Sequence, residues 1–132
     1  MKRWLLVVCL SAGLLLSCSS YPKAEDPLDA AREFIDACLK GDFNKADFYM
    51  LQDDENKAQL EKLITDYRTR SASDKEAYKE ASINILEEDT VNDTMHIINY
   101  KNSYDNIARK ARVIQRDGAW MVDLKYTFNG NL

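Results

Sequence analysis

The stretch Asp117-Gly118-Ala119-Trp120-Met121-Val122-Asp123-Leu124-Lys125-Tyr126-Thr127-Phe128 decides the fold. Asp-Gly is a strong signal for a two-residue hairpin turn, whose central residues need positive φ. Behind it the residue types alternate with a period of two. Trp120, Val122, Leu124, Tyr126 and Phe128 fall on one side, and Met121, Asp123, Lys125 and Thr127 on the other. That pattern predicts a last strand over 120–128 with its Trp120 face buried. Working outward, Ile107 to Arg116 is the hairpin partner, with Ala111 and Val113 alternating against Lys110 and Arg112. Thr94 to Tyr100 is a further strand, followed by a loop from Lys101 to Asn106. Ala81, Ile83 and Ile85 alternate with Ser82 and Asn84, and the acidic run Glu87 to Asp93 reads as a turn. Four antiparallel strands in sequence order follow.

Before about Tyr78 the period is near 3.6. Asp26 is a good N-cap and Pro27 suits the first helical position, where a missing N–H costs nothing. Leu28, Ala31, Ile35, Cys38 and Leu39 then recur at helical spacing, with Phe34 at the stripe's edge, and Gly41 supplies the left-handed terminus. Asp42 caps a short second helix to about Met50. Asp53, Asp54 and Glu55 open a third, favourably for its dipole, with the stripe Leu60, Leu63, Ile64 and Tyr67. Ser71 to Asp74 breaks it.

Helices followed by an antiparallel meander predict an α+β domain with the helices against one face of the sheet. The Asp26-Pro27 start, the Leu39-Lys40-Gly41-Asp42 break followed by Ala46, and the closing Asp117–Asp123 segment resemble the nuclear transport factor 2-like superfamily, whose domains are cystatin-like cones. The resemblance covers about residues 26–128 and implies N-terminal helices packed on a curved four-stranded sheet. It extends to small lipoproteins of Bacteroidetes-type bacteria. A fold of this kind carries no activity by itself.

The N-terminus is of another kind. Lys2 and Arg3 precede a nearly continuous apolar run from Leu5 to Leu16, too short to cross a bilayer comfortably and flanked as a signal peptide is. Leu15-Leu16-Ser17-Cys18 resembles the lipobox of bacterial lipoproteins, although Leu16 is not the small or β-branched residue most often found there. The resemblance implies that residues 1–17 are removed and that Cys18 Sγ receives a diacylglyceryl group. The competing reading is an ordinary secretory signal cut nearby, with Cys18 left as a free thiol. Ser19 to Glu25, polar and containing Pro22, reads as a tether of about 25 Å at full stretch ahead of a domain over 26–132. Lipid at Cys18 implies a cell-envelope location. By the sorting rule of enteric bacteria, Ser19 rather than Asp after the cysteine allows the outer membrane, with the domain periplasmic or surface-facing.

Without residues 1–17 the chain keeps 16 of its 18 basic residues and all 22 acidic ones, a net charge of −6. Phosphate backbones repel such a protein, so nucleic acid is a poor partner. Its 115 residues suit one core, in a monomer or weak dimer. Cys9 leaves with the signal and Cys18 takes lipid, so Cys38 stands alone and the domain must hold together without a disulfide. On the apolar face of a helix, Cys38 reads as a buried structural thiol rather than a nucleophile.

The remaining candidates are few. His96 is the only histidine and shares a strand face with Thr94, Ile98 and Tyr100; it reads as structural or surface-exposed. Asp123 reads as a solvated strand residue. Either becomes a general acid or base only if its face is the interior of a cone. The acidic run Glu87, Glu88, Asp89, Asn92, Asp93 lacks the alternating pattern and central Gly of a calcium loop. No phosphate loop, metal spacing or nucleophile elbow is present, so no cofactor or metal is expected. Phe48, Tyr49, Tyr67, Trp120 and Tyr126 are aromatics that either pack in the core or line a pocket for a ligand.

These readings favour a membrane-anchored, non-enzymatic domain that binds an unidentified protein or small molecule. The alternatives are a lyase, isomerase or hydrolase using His96, Asp123 or a tyrosine in the cone, and a structural envelope component. The anchor is directly testable. Cys18→Ser should abolish lipidation and leave an unprocessed or soluble species; partitioning into the detergent phase as the parent does would contradict it.

Overall fold

A computed structural model describes residues 21–128. The expected cleavage site and Cys18 lie outside the described residues. Four helices come first: α1 Pro27–Lys40, α2 Phe43–Phe48, α3 Asp54–Thr69 and α4 Ala72–Lys79. They are followed by β1 Ile83–Asn92, β2 Met95–Asn102, β3 Arg109–Arg116 and β4 Ala119–Asp123, and by a short α5, Leu124–Phe128. The strands form one open antiparallel sheet in the order β1-β2-β3-β4. The molecule is thus α+β, with α1 laid on one face of the sheet and α2, α3 and α4 packed on other helices.

Local chemistry sets the helix ends. Asp26 accepts the N–H groups of Leu28 and Asp29, and Gly41 closes α1 at φ +72°. Asp42 and Asp53 cap α2 and α3 through the N–H groups of Lys45 and Asn56. Ser71 does not merely end α3: its hydroxyl accepts the N–H of Asp74 and starts α4, so Tyr78 is helical rather than the beginning of a strand. No residue of α4 is fully buried, so no apolar stripe announces this helix in the sequence.

Two strand boundaries differ from expectation. The acidic run is not a turn: Glu87 to Asn92 continues β1, and the turn falls at Asp93-Thr94. From Leu86 onward every residue of β1 is exposed, because this is the open edge of the sheet. There, charge and irregular pairing at Ile85/Glu87 and Thr90/Asn92 discourage another strand from adding on. The last strand stops at Asp123, where Leu124 turns into α5. The alternation continues to Phe128, yet the ladder does not. Lys125 N–H donates to Asn56 Oδ1 and Thr127 Oγ1 to the Lys110 carbonyl, bonds that hold a helical turn against β3.

The predicted hairpin turn is present, with Asp117 at φ +52° and Gly118 at φ +72°. Register then places Ile98 opposite Ala111, and Val113 opposite Val122, on the face that α1 covers. Ala30 and Ala31 of α1 are completely buried there, their small size letting the helix backbone approach the sheet.

The second edge of the sheet is closed by chain from elsewhere. Trp120 N–H donates to the Ala24 carbonyl, Val122 N–H to Tyr49, and Leu51 N–H to Val122. Tyr49 Oη donates to the Pro22 carbonyl at 2.6 Å. Residues 21–25, read from sequence as tether, therefore belong to the folded unit over this part, and Ala24 is buried.

Trp120 is 6 % exposed and sits where β4, the leading segment and His96 meet. Trp120→Ala should cost about 3–5 kcal/mol, read as a lowered urea midpoint; an unchanged midpoint would contradict this packing.

Candidate functional site

A cavity of about 280 Å³ lies between the helices and the sheet. Phe34, Ile35, Cys38 and Leu39 of α1 line it together with Phe43, Leu63, and Tyr100 and Asn102 of β2. Leu124 and Thr127 of α5 close one end, while Tyr67, Arg70, Tyr78 and Arg109 stand around the other. The cavity explains a peculiarity of α3. Its apolar stripe forms as expected, yet beyond the buried Asn56 and Leu60 the residues Leu63, Ile64 and Tyr67 are only half-buried. Leu63 and Tyr67 line the hollow, while Leu63 and Ile64 also pack against the edge of the core.

The hollow has rigid walls. Tyr67 meets Phe43 edge to face, with ring centroids 5.4 Å apart, and its ring fills the space beside Gly41. A Cβ on Gly41 would lie 2.5 Å from the Tyr67 ring, so glycine is required there by contact as well as by its positive φ. Arg70 lies over the Tyr78 ring at 4.1 Å and donates to Tyr78 Oη at 3.1 Å and Tyr104 Oη at 3.4 Å. Asp105 binds Arg109 at 2.6 Å, and that guanidinium holds the Asp105 carboxyl below its usual range. Burial pushes the Cys38 thiol up to about 12 and raises the Tyr100 phenol, so both stay protonated at neutral pH.

The five aromatics do not share this cavity. Tyr67 lines it. Phe48 and Tyr49 form a separate cluster with Tyr21, the Phe48 and Tyr49 rings 4.9 Å apart. Trp120 packs edge-on against His96 at 5.0 Å, and the Arg112 guanidinium lies 4.7 Å from the Tyr126 ring centre. Tyr100 and Tyr78 are the aromatics that sequence reasoning missed. The alternation of Tyr100 with Ile98 carried the signal for the first, whereas Tyr78 was hidden by the unexpected helix. Nothing in the sequence distinguished Arg70.

His96 has a partner no motif spacing suggested: its Nδ1 is 2.9 Å from Glu88 Oε1, across the β1–β2 pair. Both lie away from the cavity, at the Trp120 end of the sheet.

Asp123 is not the solvated residue expected; it is 1 % exposed. It accepts from Asn56 Nδ2 at 3.0 Å, Lys125 Nζ at 2.7 Å, Arg112 Nε at 2.9 Å and the Arg112 terminal nitrogen. Lys125 also binds Asp53, whose carboxyl is lowered by the Asn56 N–H and by Lys125. For Asp123, burial raises the pKa, but hydrogen bonds from Lys125, Arg112 and Asn56 outweigh it and the net direction is down. A carboxylate held in this way is a structural anion rather than a proton-transfer group.

A lowered native pKa means that the stabilisation is full above the unfolded carboxylate range, near 3.9, and is lost as pH falls through the native value. Asp123→Asn should cost about 3 kcal/mol at pH 7, because it leaves Arg112 and Lys125 without their shared anion. It should also flatten the loss of stability on acidification below about pH 4, followed by urea unfolding across pH. A variant with the parent's midpoint at pH 7 and an unchanged acid profile would contradict the assignment.

No protein-family model matches the chain, and comparison with curated proteins finds no match either.

Proposed function

We propose that the protein is an exported lipoprotein, anchored through diacylglyceryl-Cys18, whose cone-like domain binds a small molecule with an apolar body without transforming it. The observation that carries the binding part is the cavity beneath α3. Its walls are mostly Phe, Ile, Leu and Tyr side chains, as in ligand clefts generally, and its volume of about 280 Å³ falls just below their usual range of roughly 300–1,000 Å³, which suits a small ligand. The non-enzymatic reading draws on the protonation of its buried groups. Cys38 and Tyr100 are held neutral, so neither serves as a base at neutral pH.

The anchor reading rests on Leu15-Leu16-Ser17-Cys18, and the leading segment gives it a mechanical consequence. Tyr21 already packs on Phe48 and Tyr49, three residues after Cys18. Three residues span at most about 10 Å, so a lipid on Cys18 would hold the domain against the membrane by its Tyr21–Phe48 corner.

A second reading has one observation in its favour. The His96–Glu88 contact pairs an imidazole with a carboxylate, as an acid–base enzyme would. Two variants separate the readings in a deletion strain, scored by rescue of the defect that deletion causes. Leu63→Trp, which fills the cavity, should fail to rescue while remaining folded by circular dichroism and anchored by membrane fractionation. His96→Gln should rescue fully. The reverse pattern, with an inactive but folded and anchored His96→Gln protein, would overturn the binding reading in favour of the enzyme.

A further inference from the structure

We infer that the cavity selects a small amphipathic monocarboxylate, its apolar body among Phe34, Ile35 and Leu63 and its carboxylate on Arg70; the inference rests on the cavity being the binding site. Three observations converge on it.

The first is an uncompensated charge. Arg70 is half-buried, and among the described residues it forms no ion pair. Its donors go to the neutral Tyr78 and Tyr104 hydroxyls, and the Tyr78 ring supports its plane. The guanidinium is therefore fixed in place with its charge unanswered. The other charged groups of the lining do not answer it. Arg109 is bound by Asp105, and Asp66, exposed on the rim one turn before Arg70, makes no ion pair with it.

The second is an excess of donors. Asn102 is 5 % exposed, and its Oδ1 accepts the N–H groups of Tyr104 and Asp105. Its Nδ2 then has no hydrogen-bond partner among the described residues. The Tyr100 hydroxyl, on a residue 9 % exposed, has none either. A guanidinium, an amide NH₂ and a phenol thus line one space, and each belongs to a residue with donors to offer. A ligand head that only accepts hydrogen bonds suits such a lining. A carboxylate does so, and its two oxygens match the planar fork of an arginine.

The third is economy of charge and room. One free guanidinium balances one negative charge, and the remaining lining is mostly apolar. A cationic ligand meets Arg70 unfavourably. A sugar needs acceptors as much as donors, and the one carboxylate of the lining is Asp66, out on the rim. The apolar body is an acyl chain or an aryl ring.

The test uses the full chain, produced with its lipid and purified in nonionic detergent, with titrations corrected against matched empty micelles. The probes are octanoate and 4-phenylbutanoate, each beside its alcohol, octanol or 4-phenylbutanol. At least one acid should bind more tightly than its alcohol, and which acid does so identifies the body as acyl or aryl. In Arg70→Gln the acid-to-alcohol affinity ratio should fall by roughly ten-fold. Tyr100→Phe removes a hydroxyl that bonds nothing in the fold, and should weaken the acid several-fold while leaving the urea midpoint unchanged. Equal binding of acid and alcohol, or an unchanged ratio in Arg70→Gln, would overturn the ligand class and leave the cavity as a site for neutral molecules. Failure of all four probes to bind would overturn the cavity reading with it.

Discussion

A carboxylate removed from water must be answered by charge and hydrogen bonds, and Asp123 draws its answer from three elements. Asn56 comes from the first turn of α3, Arg112 from β3, and Lys125 from the start of α5. Asn56 acts in both directions, donating to Asp123 and accepting the Lys125 N–H. This junction stops β4, turns the chain into α5 and ties the first turn of α3 to the end of β4. Such a cluster need not add more stability than well-packed apolar side chains would. It specifies position instead, because each partner is costly to leave unmatched.

Farther along α3, Leu63 and Tyr67 line the hollow. α1 supplies Phe34, Ile35, Cys38 and Leu39 to the same space, and α5 supplies Leu124 and Thr127. The binding proposal therefore depends on the same constraint as the fold. The polar groups of the hollow are equally fixed: Tyr78 and Tyr104 hold Arg70, and two backbone N–H groups hold Asn102. Preorganised donors lose little freedom when a ligand arrives, which favours binding.

Much of the fold was legible in the sequence. The caps Asp26, Asp42 and Asp53, the terminator Gly41 and the Asp117-Gly118 turn act through local geometry, so short stretches reveal them. What escaped was decided at a distance. The alternation from Trp120 to Phe128 continues after its strand ends, because the Lys125 N–H finds Asn56, 69 residues earlier. The run Glu87–Asn92 looks like a turn by composition, yet an edge strand needs no apolar face. Asp123 on a polar-looking strand face gave no hint of burial, since its partners Arg112 and Asn56 lie 11 and 67 residues away. The site was less legible still. Of the five aromatics considered, Tyr67 reached the cavity, and Arg70 became notable only when the fold set it on Tyr78.

The central claim is that a donor-lined hollow under α3 receives a carboxylate. A crystal structure of the protein grown with 4-phenylbutanoate tests it most directly. The account predicts density filling the hollow, with the carboxylate on Arg70 and within hydrogen-bond reach of Asn102 and Tyr100. Density for the acid at another surface, with the hollow unfilled, would contradict it.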